Sequence, residues 1–344
     1  MVNVMNLIGR RCKSHLENMR ATTYIPHFPK LIVCGIIFAT CNSFTTGNVF
    51  ANEITKDDNS IARGAYIART SNCISCHTDV KDGSPLLGGG RPITTKFGIF
   101  FTPNITADPI TGIGQWNLED FRNALTQGVS PQEEYYYPVF PYTSFNAMST
   151  TDIEDLWRYL ESVPTAKTVN RKHQIKFPFS LSLVPRLWRK TFFRHKPFHF
   201  NPKESLRWNR GSYLVEVLGH CHECHSPRNF IGAIIKKEAY SGAKHPTENS
   251  YIPNITPDPT SGIGHWDEDD ISWFLETGFL PDGDVTTGVM AEIVETSTSQ
   301  LTMSDREAIA IFLKSLPPIE NLSLERKKKN AEEGWQSNAL HNNN

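Results

Sequence analysis

The chain of 344 residues has few cysteines and no long apolar run. Three of its seven cysteines, Cys12, Cys34 and Cys41, lie within the first fifty residues. The other four form two closely spaced pairs, so no cysteine remains for a structural disulfide in the rest of the chain. The apolar run at residues 31–39 is too short to cross a bilayer. With 39% hydrophobic and 21% charged residues, the composition is that of a soluble globular protein.

Residues 1–51 have the features of an export signal. Lys30 precedes the apolar run, and Val49 and Ala51 are small residues at the positions before a cleavage site. We expect cleavage after Ala51 and a mature protein in the periplasm. Translation from Met19 is an alternative start, because the segment before Lys30 is long for a signal.

Two Cys-x-x-Cys-His pentads are the most informative feature of the chain. They are Cys73-Ile-Ser-Cys76-His77 and Cys221-His-Glu-Cys224-His225. In each, two thiols can form thioethers with the vinyl groups of a haem, and the adjacent histidine can bind its iron. A zinc site would need two further ligands near each pair, and a thioredoxin-like dithiol gives the histidine no role. We therefore predict two covalently bound haem c groups.

The sequence around the pentads occurs twice. Arg63-Gly-Ala-Tyr66 and Arg210-Gly-Ser-Tyr213 precede the pentads, and the heptad at residues 103–109 returns at 253–259. The spacing between matching residues drifts only slightly, which small loop insertions explain. We predict that one domain is duplicated, over residues 55–165 (the first copy) and 205–320 (the second copy). Residues 166–204 connect the copies, and the polar residues 321–344 are predicted to be disordered.

Within each copy the secondary-structure signals are helical at the ends and irregular between them. Residues 60–72 carry apolar residues at helical spacing up to the first pentad. Asn117 and Asp267 are cap-type residues before helix-like segments, and residues 152–163 and 304–316 are amphipathic and stop before a proline. No stretch alternates long enough to indicate a sheet. We predict an all-α fold in which each copy surrounds one haem.

The first copy offers a clear pair of iron ligands. His77 and Met148 are its only histidine and methionine between residues 52 and 165. If the iron is six-coordinate through nitrogen and sulfur donors, these two residues hold it. The alternative for Met148 is a place in the hydrophobic core.

The second copy leaves more choices. His225 is the histidine of its pentad, and Met290, Met303 and His265 are alternatives for the opposite ligand. We favour Met290, because it lies in a loop-like stretch, whereas Met303 stands at the start of the last helix and would pack there. Aligning the last helices places Leu301 opposite Met148.

Residues near the pentads are candidates for supporting roles. Pro85 and Pro227 follow the pentads, and we expect their backbone carbonyls to orient the ligand histidines. Arg91 and Arg228 are expected either to contact haem propionates or to be ordinary solvated cations.

The segment between the copies is strongly basic. Residues 167–210 contain twelve Lys and Arg residues and a single acidic one, Glu204. This stretch packs on the acidic copies, or else it docks onto a protein partner or anionic lipid. Its aromatic residues and leucines also allow residues 171–194 to lie on a membrane surface.

By these motifs the chain resembles bacterial diheme c-type cytochromes built from tandem class I cytochrome c domains. It is similar to the cytochrome subunits of periplasmic alcohol, gluconate, aldehyde and sorbosone dehydrogenases. The resemblance rests on both pentads, the Pro-Asn-Ile-Thr repeats, the Phe140-Pro-Tyr142 element before Met148, and Gly288-Val-Met290-Ala-Glu292. It implies Met148 and Met290 as iron ligands, and it implies transfer of electrons from a dehydrogenase towards the respiratory chain.

We therefore expect a periplasmic electron carrier rather than an enzyme. Its donor would be a dehydrogenase and its acceptor a soluble cytochrome or terminal oxidase. We also expect peripheral contact with the inner membrane and no nucleic acid partner. The alternative is a haem enzyme, either a diheme peroxidase or a thiosulfate dehydrogenase-like oxidase. A peroxidase needs an exchangeable iron position, which two methionine ligands would close. Thiosulfate oxidation would want a reactive cysteine, and no spare cysteine remains after signal removal.

Overall fold

Helices are the main regular structure in the computed structural model, which describes residues 56–247 and 250–321. The predicted signal, its cleavage after Ala51 and nearly all of the polar tail lie outside the described residues. The helices are α1 (Lys56–Thr70), α2 (Cys73–His77), α3 (Leu118–Gln127), α4 (Tyr142–Phe145), α5 (Thr150–Ser162), α6 (Leu183–Phe192), α7 (Leu206–Ser212), α8 (His222–His225), α9 (Glu268–Thr277), α10 (Gly288–Thr296) and α11 (Met303–Ser315). A π-helical turn, Tyr213–Leu218, continues α7.

Helices α3 and α9 begin at the predicted caps. The Asn117 side chain accepts a hydrogen bond from the backbone N–H of Asp120, and the Asp120 carboxylate accepts one from the N–H of Asn117. Asp267 and Asp270 form the same reciprocal capping box at the start of α9. Because each box satisfies two backbone donors that the helix leaves unpaired, residues at matching positions begin the same helix in both copies.

The repeated Arg-Gly-x-Tyr motif lets the first and last helices of each copy cross closely. Helix α1 packs against α5, and α7 packs against α11. A β-carbon on Gly64 would lie 2.0 Å from the carbonyl oxygen of Asp155, and one on Gly211 would lie 1.9 Å from that of Ala308. Only glycine permits this approach, which explains why it recurs.

The arginine and tyrosine of the motif also bind the last helices. Arg210 donates two hydrogen bonds, of 2.9 and 2.7 Å, to Asp305 in its own copy. Tyr66 of the first copy donates to the same carboxylate at 2.6 Å. In the opposite direction, Tyr213 of the second copy donates to Asp152 of the first. These reciprocal bonds join the two copies.

Short strands accompany the helices, so the expectation of no sheet was wrong. Strands β1 (Pro92–Thr95), β2 (Gly98–Phe101) and β3 (Gln174–Ile175) form an antiparallel sheet in that order, and β4 (Ala243–Lys244) pairs with β5 (Tyr251–Ile252). Strands of two to four residues are too short for an alternating pattern to reveal them. The fold is nonetheless mainly helical.

The connecting segment packs on both copies. It supplies β3 to the sheet of the first copy, and the Arg189 side chain of α6 donates to the Gln127 carbonyl at 2.8 Å. The indole N–H of Trp188 donates to the Ile231 carbonyl of the second copy at 3.1 Å. All described residues belong to one compact unit, whose core includes Leu156 and Leu214 from the two copies. None of the helices within 56–247 and 250–321 is long and apolar enough to span a bilayer.

Candidate haem sites

The first pentad forms the short helix α2, directly after α1. Asn72, with a left-handed backbone (φ 56°), turns the chain between the two helices. Cys73 and Cys76 are half-buried, and neither forms a disulfide. Burial, together with the nearby Cys76, raises the pKa of the Cys73 thiol to about 12. Burial also raises the pKa of Cys76. Two neutral thiols therefore lie on one helical turn, as two thioether bonds to one haem edge require.

The second pentad also forms a short helical turn, with Cys221 half-buried and Cys224 exposed. Cys221 precedes α8, and its N–H donates to the Val215 carbonyl at 3.0 Å. Burial raises the pKa of Cys221 to about 12 and that of Cys224 to about 11, and both thiols are unpaired. Both attachment turns lie within one compact unit, and the charge of Cys76 adds to the raised pKa of Cys224.

The two pentad histidines are oriented in the same way. His77 Nδ1 lies 2.7 Å from the Pro103 carbonyl oxygen, and His225 Nδ1 lies 2.8 Å from that of Pro253. Because a carbonyl only accepts, Nδ1 carries the proton and Nε2 keeps its lone pair for a metal. Desolvation lowers the pKa of both imidazoles, which favours the neutral, ligating form.

The expectation that Pro85 and Pro227 orient the histidines was wrong. The Pro85 carbonyl instead accepts from the N–H of Gly88, and the Pro227 carbonyl accepts from that of Ile235. Both carbonyls close local turns after the pentads. The histidine partners come from a later segment, some 26 and 28 residues further along the chain.

The repeated Pro-Asn-Ile-Thr motif explains how those later carbonyls are held. The buried Asn104 side chain donates to the Ala166 carbonyl at 2.6 Å and accepts from the backbone N–H and hydroxyl of Thr106. In the second copy, Asn254 donates to the Ile319 carbonyl at 2.8 Å and accepts from Thr256 in the same way. The repetition of the motif was the signal from which this role could have been recognised.

Arg91 and Arg228 are engaged by the protein beside the pentads. Arg91 donates to the Ser75 carbonyl inside the first pentad at 2.5 Å and pairs with Glu292 of α10. Arg228 donates to the carbonyl of Glu223 inside the second pentad at 2.7 Å and pairs with its carboxylate. The expectation that these two arginines are ordinary solvated cations was therefore wrong.

The candidate sulfur ligands differ in burial. Met148 is 8% exposed, and it lies between α4 and the cap of α5. Met290 is half-buried and lies in helix α10, so the expectation that it lies in a loop was wrong. Met303 is 67% exposed at the start of α11, so the expectation that it packs there was also wrong, and His265 is exposed as well. Leu301, which aligns with Met148, is buried in the core.

The residues present fit two covalently attached haem groups. Each turn combines two unpaired thiols with one neutral imidazole whose Nε2 is available. Within the described residues, Ser71 Oγ and Asn72 Oδ1 next to the first pentad, and His222 Nδ1 in the second, are buried without a hydrogen-bond partner. Buried polar atoms of this kind are costly unless a further group completes the site.

Comparison with known proteins agrees with this chemistry. A diheme cytochrome c-type protein of Cereibacter sphaeroides is 40% identical over 262 residues, covering 75% of this chain and 86% of that protein. The fructose dehydrogenase cytochrome subunit of Gluconobacter japonicus is 36% identical over 260 residues, 75% of this chain and 53% of the subunit. The cytochrome c subunit of a quinone alcohol dehydrogenase from Gluconacetobacter polyoxogenes is 34% identical over 289 residues, 82% of this chain and 61% of the subunit.

This chain thus spans little more than half the length of those two dehydrogenase subunits, and most of the Cereibacter protein. No family model matches it. The extent of the shared sequence, together with two complete attachment turns, shows that the chain belongs to the diheme c-type cytochromes, with two covalently bound haem c groups.

Proposed function

We propose that this protein carries single electrons in the periplasm, from a substrate-oxidising dehydrogenase towards the respiratory chain. The observation that carries the proposal is the pair of neighbouring attachment turns, each with a neutral, oriented histidine, within one compact unit. The names of two relatives, subunits of fructose and alcohol dehydrogenases, support a dehydrogenase as the donor. A soluble cytochrome or terminal oxidase would accept the electrons, and residues 1–51 would direct export and be removed after Ala51.

We further propose that the two copies, residues 55–165 and 205–320, are tandem class I cytochrome c domains. In each, the first helix leads into the pentad and crosses the last helix through the same glycine. Residues 166–204 would connect these domains, and residues 321–344 would form a polar tail.

Met148 and Met290 are the proposed sulfur ligands. The support for Met148 is that it is buried and is the only methionine of its copy. Met290 is favoured in the second copy because Met303 and His265 are exposed, and either would have to turn inward to reach a buried iron.

This ligand set suits a carrier. When bound, the haem supplies an iron centre that changes its oxidation state by one electron, and a thioether opposite imidazole favours the ferrous form. With Met148 and Met290 as ligands, neither iron would keep a free position for peroxide. The role of the protein would therefore be to bind, orient and shield the two centres.

Carbon monoxide binding distinguishes the carrier from an enzyme. We expect the untreated ferrous protein to bind no carbon monoxide, because both iron positions are closed, and Met148→Ala to bind it at about half of the haem. Met303→Ala is the matched control and should bind none, because Met303 is exposed. Rapid binding by the unaltered protein, measured by its absorption change, would favour the peroxidase or oxidase alternative.

A peripheral membrane contact through residues 171–194 is also proposed. Helix α6 buries Pro185 and turns Trp188 and Arg189 towards the two copies. On its other side Leu183 and Leu187, one turn apart, are 54% and 52% exposed. Basic residues lie next to these leucines and are also exposed; they are Arg186, Lys190 and Arg194. Exposed leucines flanked by cations match the interface of an anionic membrane.

Vesicle sedimentation tests this contact. We expect the protein to bind vesicles that contain phosphatidylglycerol, and replacement of Leu183 and Leu187 by glutamine to weaken binding at least about tenfold, because about 0.8 kcal/mol is lost for each methylene group no longer inserted. Ile110→Gln is the control, since Ile110 is an exposed apolar residue outside this segment. Equal sedimentation of all three proteins would contradict the contact and would favour a protein partner for the basic surface.

A further inference from the structure

We propose that each proposed sulfur ligand is positioned by the attachment turn of the other haem, so that the two sites hold each other in place. The strongest link runs from Ser75 in the first pentad through Arg91 and Glu292 to helix α10, which carries Met290. Arg91 and Glu292 are then positioning residues for the second haem, although Arg91 belongs to the first copy. This inference rests on the proposed ligation by Met290.

The Arg91–Glu292 link is a two-point contact between the copies. The guanidinium pairs with Glu292 through both terminal nitrogens, one of them 2.8 Å from the carboxylate, while it also donates to the Ser75 carbonyl at 2.5 Å. The two side chains are only 24% and 30% exposed. A bidentate, partly buried pair has a defined geometry, unlike a single contact between solvated charges.

Helix α10 depends on this contact because its start is weakly held. Thr287 at its N-terminus makes no capping bond, and the next residue, Gly288, has a left-handed backbone (φ 63°). Met290 lies between this uncapped start and Glu292. The helix also runs beside α2, so Glu292 fixes the segment against the first attachment turn. A shift of α10 would therefore move the Met290 sulfur.

A second link runs in the opposite direction. The Thr143 hydroxyl of α4 donates to the Glu223 carboxylate at 2.8 Å, and Glu223 lies inside the second pentad, where Arg228 holds it. The ring of Phe145 packs edge-on against His220, with centroids 5.4 Å apart. Helix α4 leads directly to Met148. Here a neutral hydroxyl replaces the charge pair, so we expect the first haem to depend less on its link.

Replacement of Glu292 tests the stronger link. In Glu292→Ala, we expect both haems to stay attached, but about half of the near-infrared absorption of methionine-ligated ferric haem to be lost, with carbon monoxide bound by one haem of the two. Glu292→Gln, which keeps an acceptor for Arg91, should lose less. Thr143→Val should produce a smaller loss, confined to the first haem in a redox titration.

Tyr66→Phe is the matched control. It removes two other hydrogen bonds between the copies, from the Tyr66 hydroxyl to Asp305 and from the Thr302 N–H to Tyr66, without touching α10. Full absorption in Tyr66→Phe beside a loss in Glu292→Ala would support a specific link, whereas equal losses would mean general loosening and overturn it. Full near-infrared absorption in Glu292→Ala would also overturn the proposed link, provided that Met290→Ala loses half of that absorption. If Met290→Ala itself keeps full absorption, the ligand assignment fails, and the inference fails with it.

Discussion

Replacing both cysteines of the first pentad by serine is expected to give a protein with one covalent haem instead of two. Cys73 and Cys76 are unpaired thiols on a single turn, and no other cysteine within the described residues precedes the second pentad. A hydroxyl does not form the thioether, so the first site would lose its attachment completely. The mass of the intact protein and the pyridine haemochrome per chain would each measure the loss.

The second pentad provides the matched control. Replacement of Cys221 and Cys224 should also leave one haem, and the two single-haem proteins should differ in reduction potential, because their sites differ in the charges beside them. At the first turn Arg91 is paired with Glu292 of α10, whereas at the second turn Glu223, the partner of Arg228, lies inside the pentad itself. Two haems retained in either variant would show that the thiols are not the points of attachment.

The parts of the site that are local in sequence could be predicted from it. A pentad encodes its own turn, since two thiols and a histidine within five residues define the attachment without help from distant segments. The capping boxes at Asn117 and Asp267 are equally local, and they mark the starts of α3 and α9. The repeat was also visible, because it needs only comparison of the chain with itself.

The parts that depend on distant contacts could not be predicted. The partners of the pentad histidines are the Pro103 and Pro253 carbonyls, and no property of a single proline distinguishes them from Pro85 and Pro227. The pair between Arg91 and Glu292 joins residues 201 positions apart. Such contacts follow from the way the two copies pack. The residue pattern and the spacing of motifs in the sequence do not indicate which distant residues this packing brings together.

Asn104→Ala is expected to destabilise the protein and to change the first haem selectively. The buried Asn104 side chain donates to Thr111 at 3.1 Å and to Ala166 at 2.6 Å, and it accepts from Thr106. Alanine would leave the Ala166 carbonyl and the Thr106 N–H buried without this partner. At about 1–3 kcal/mol for each orphaned group, the free energy of unfolding should fall by at least about 2 kcal/mol.

The same substitution should raise the reduction potential of the first haem. Asn104 follows Pro103 directly, and its side chain holds the loop from which the Pro103 carbonyl accepts the Nδ1 proton of His77. A weaker hydrogen bond makes the imidazole a poorer donor to iron, which disfavours the ferric state. A redox titration followed at the haem bands measures the shift, and guanidinium unfolding measures the stability.

Asn254→Ala separates this mechanism from general destabilisation. Asn254 is as deeply buried as Asn104, and it holds the Pro253 loop through the Ile319 carbonyl. Asn254→Ala should therefore lower the free energy of unfolding by a similar amount. It should raise the reduction potential of the second haem and leave that of the first haem unchanged. If both variants shifted both potentials equally, the carbonyl would not be the cause, and loosening of the whole compact unit would explain the result.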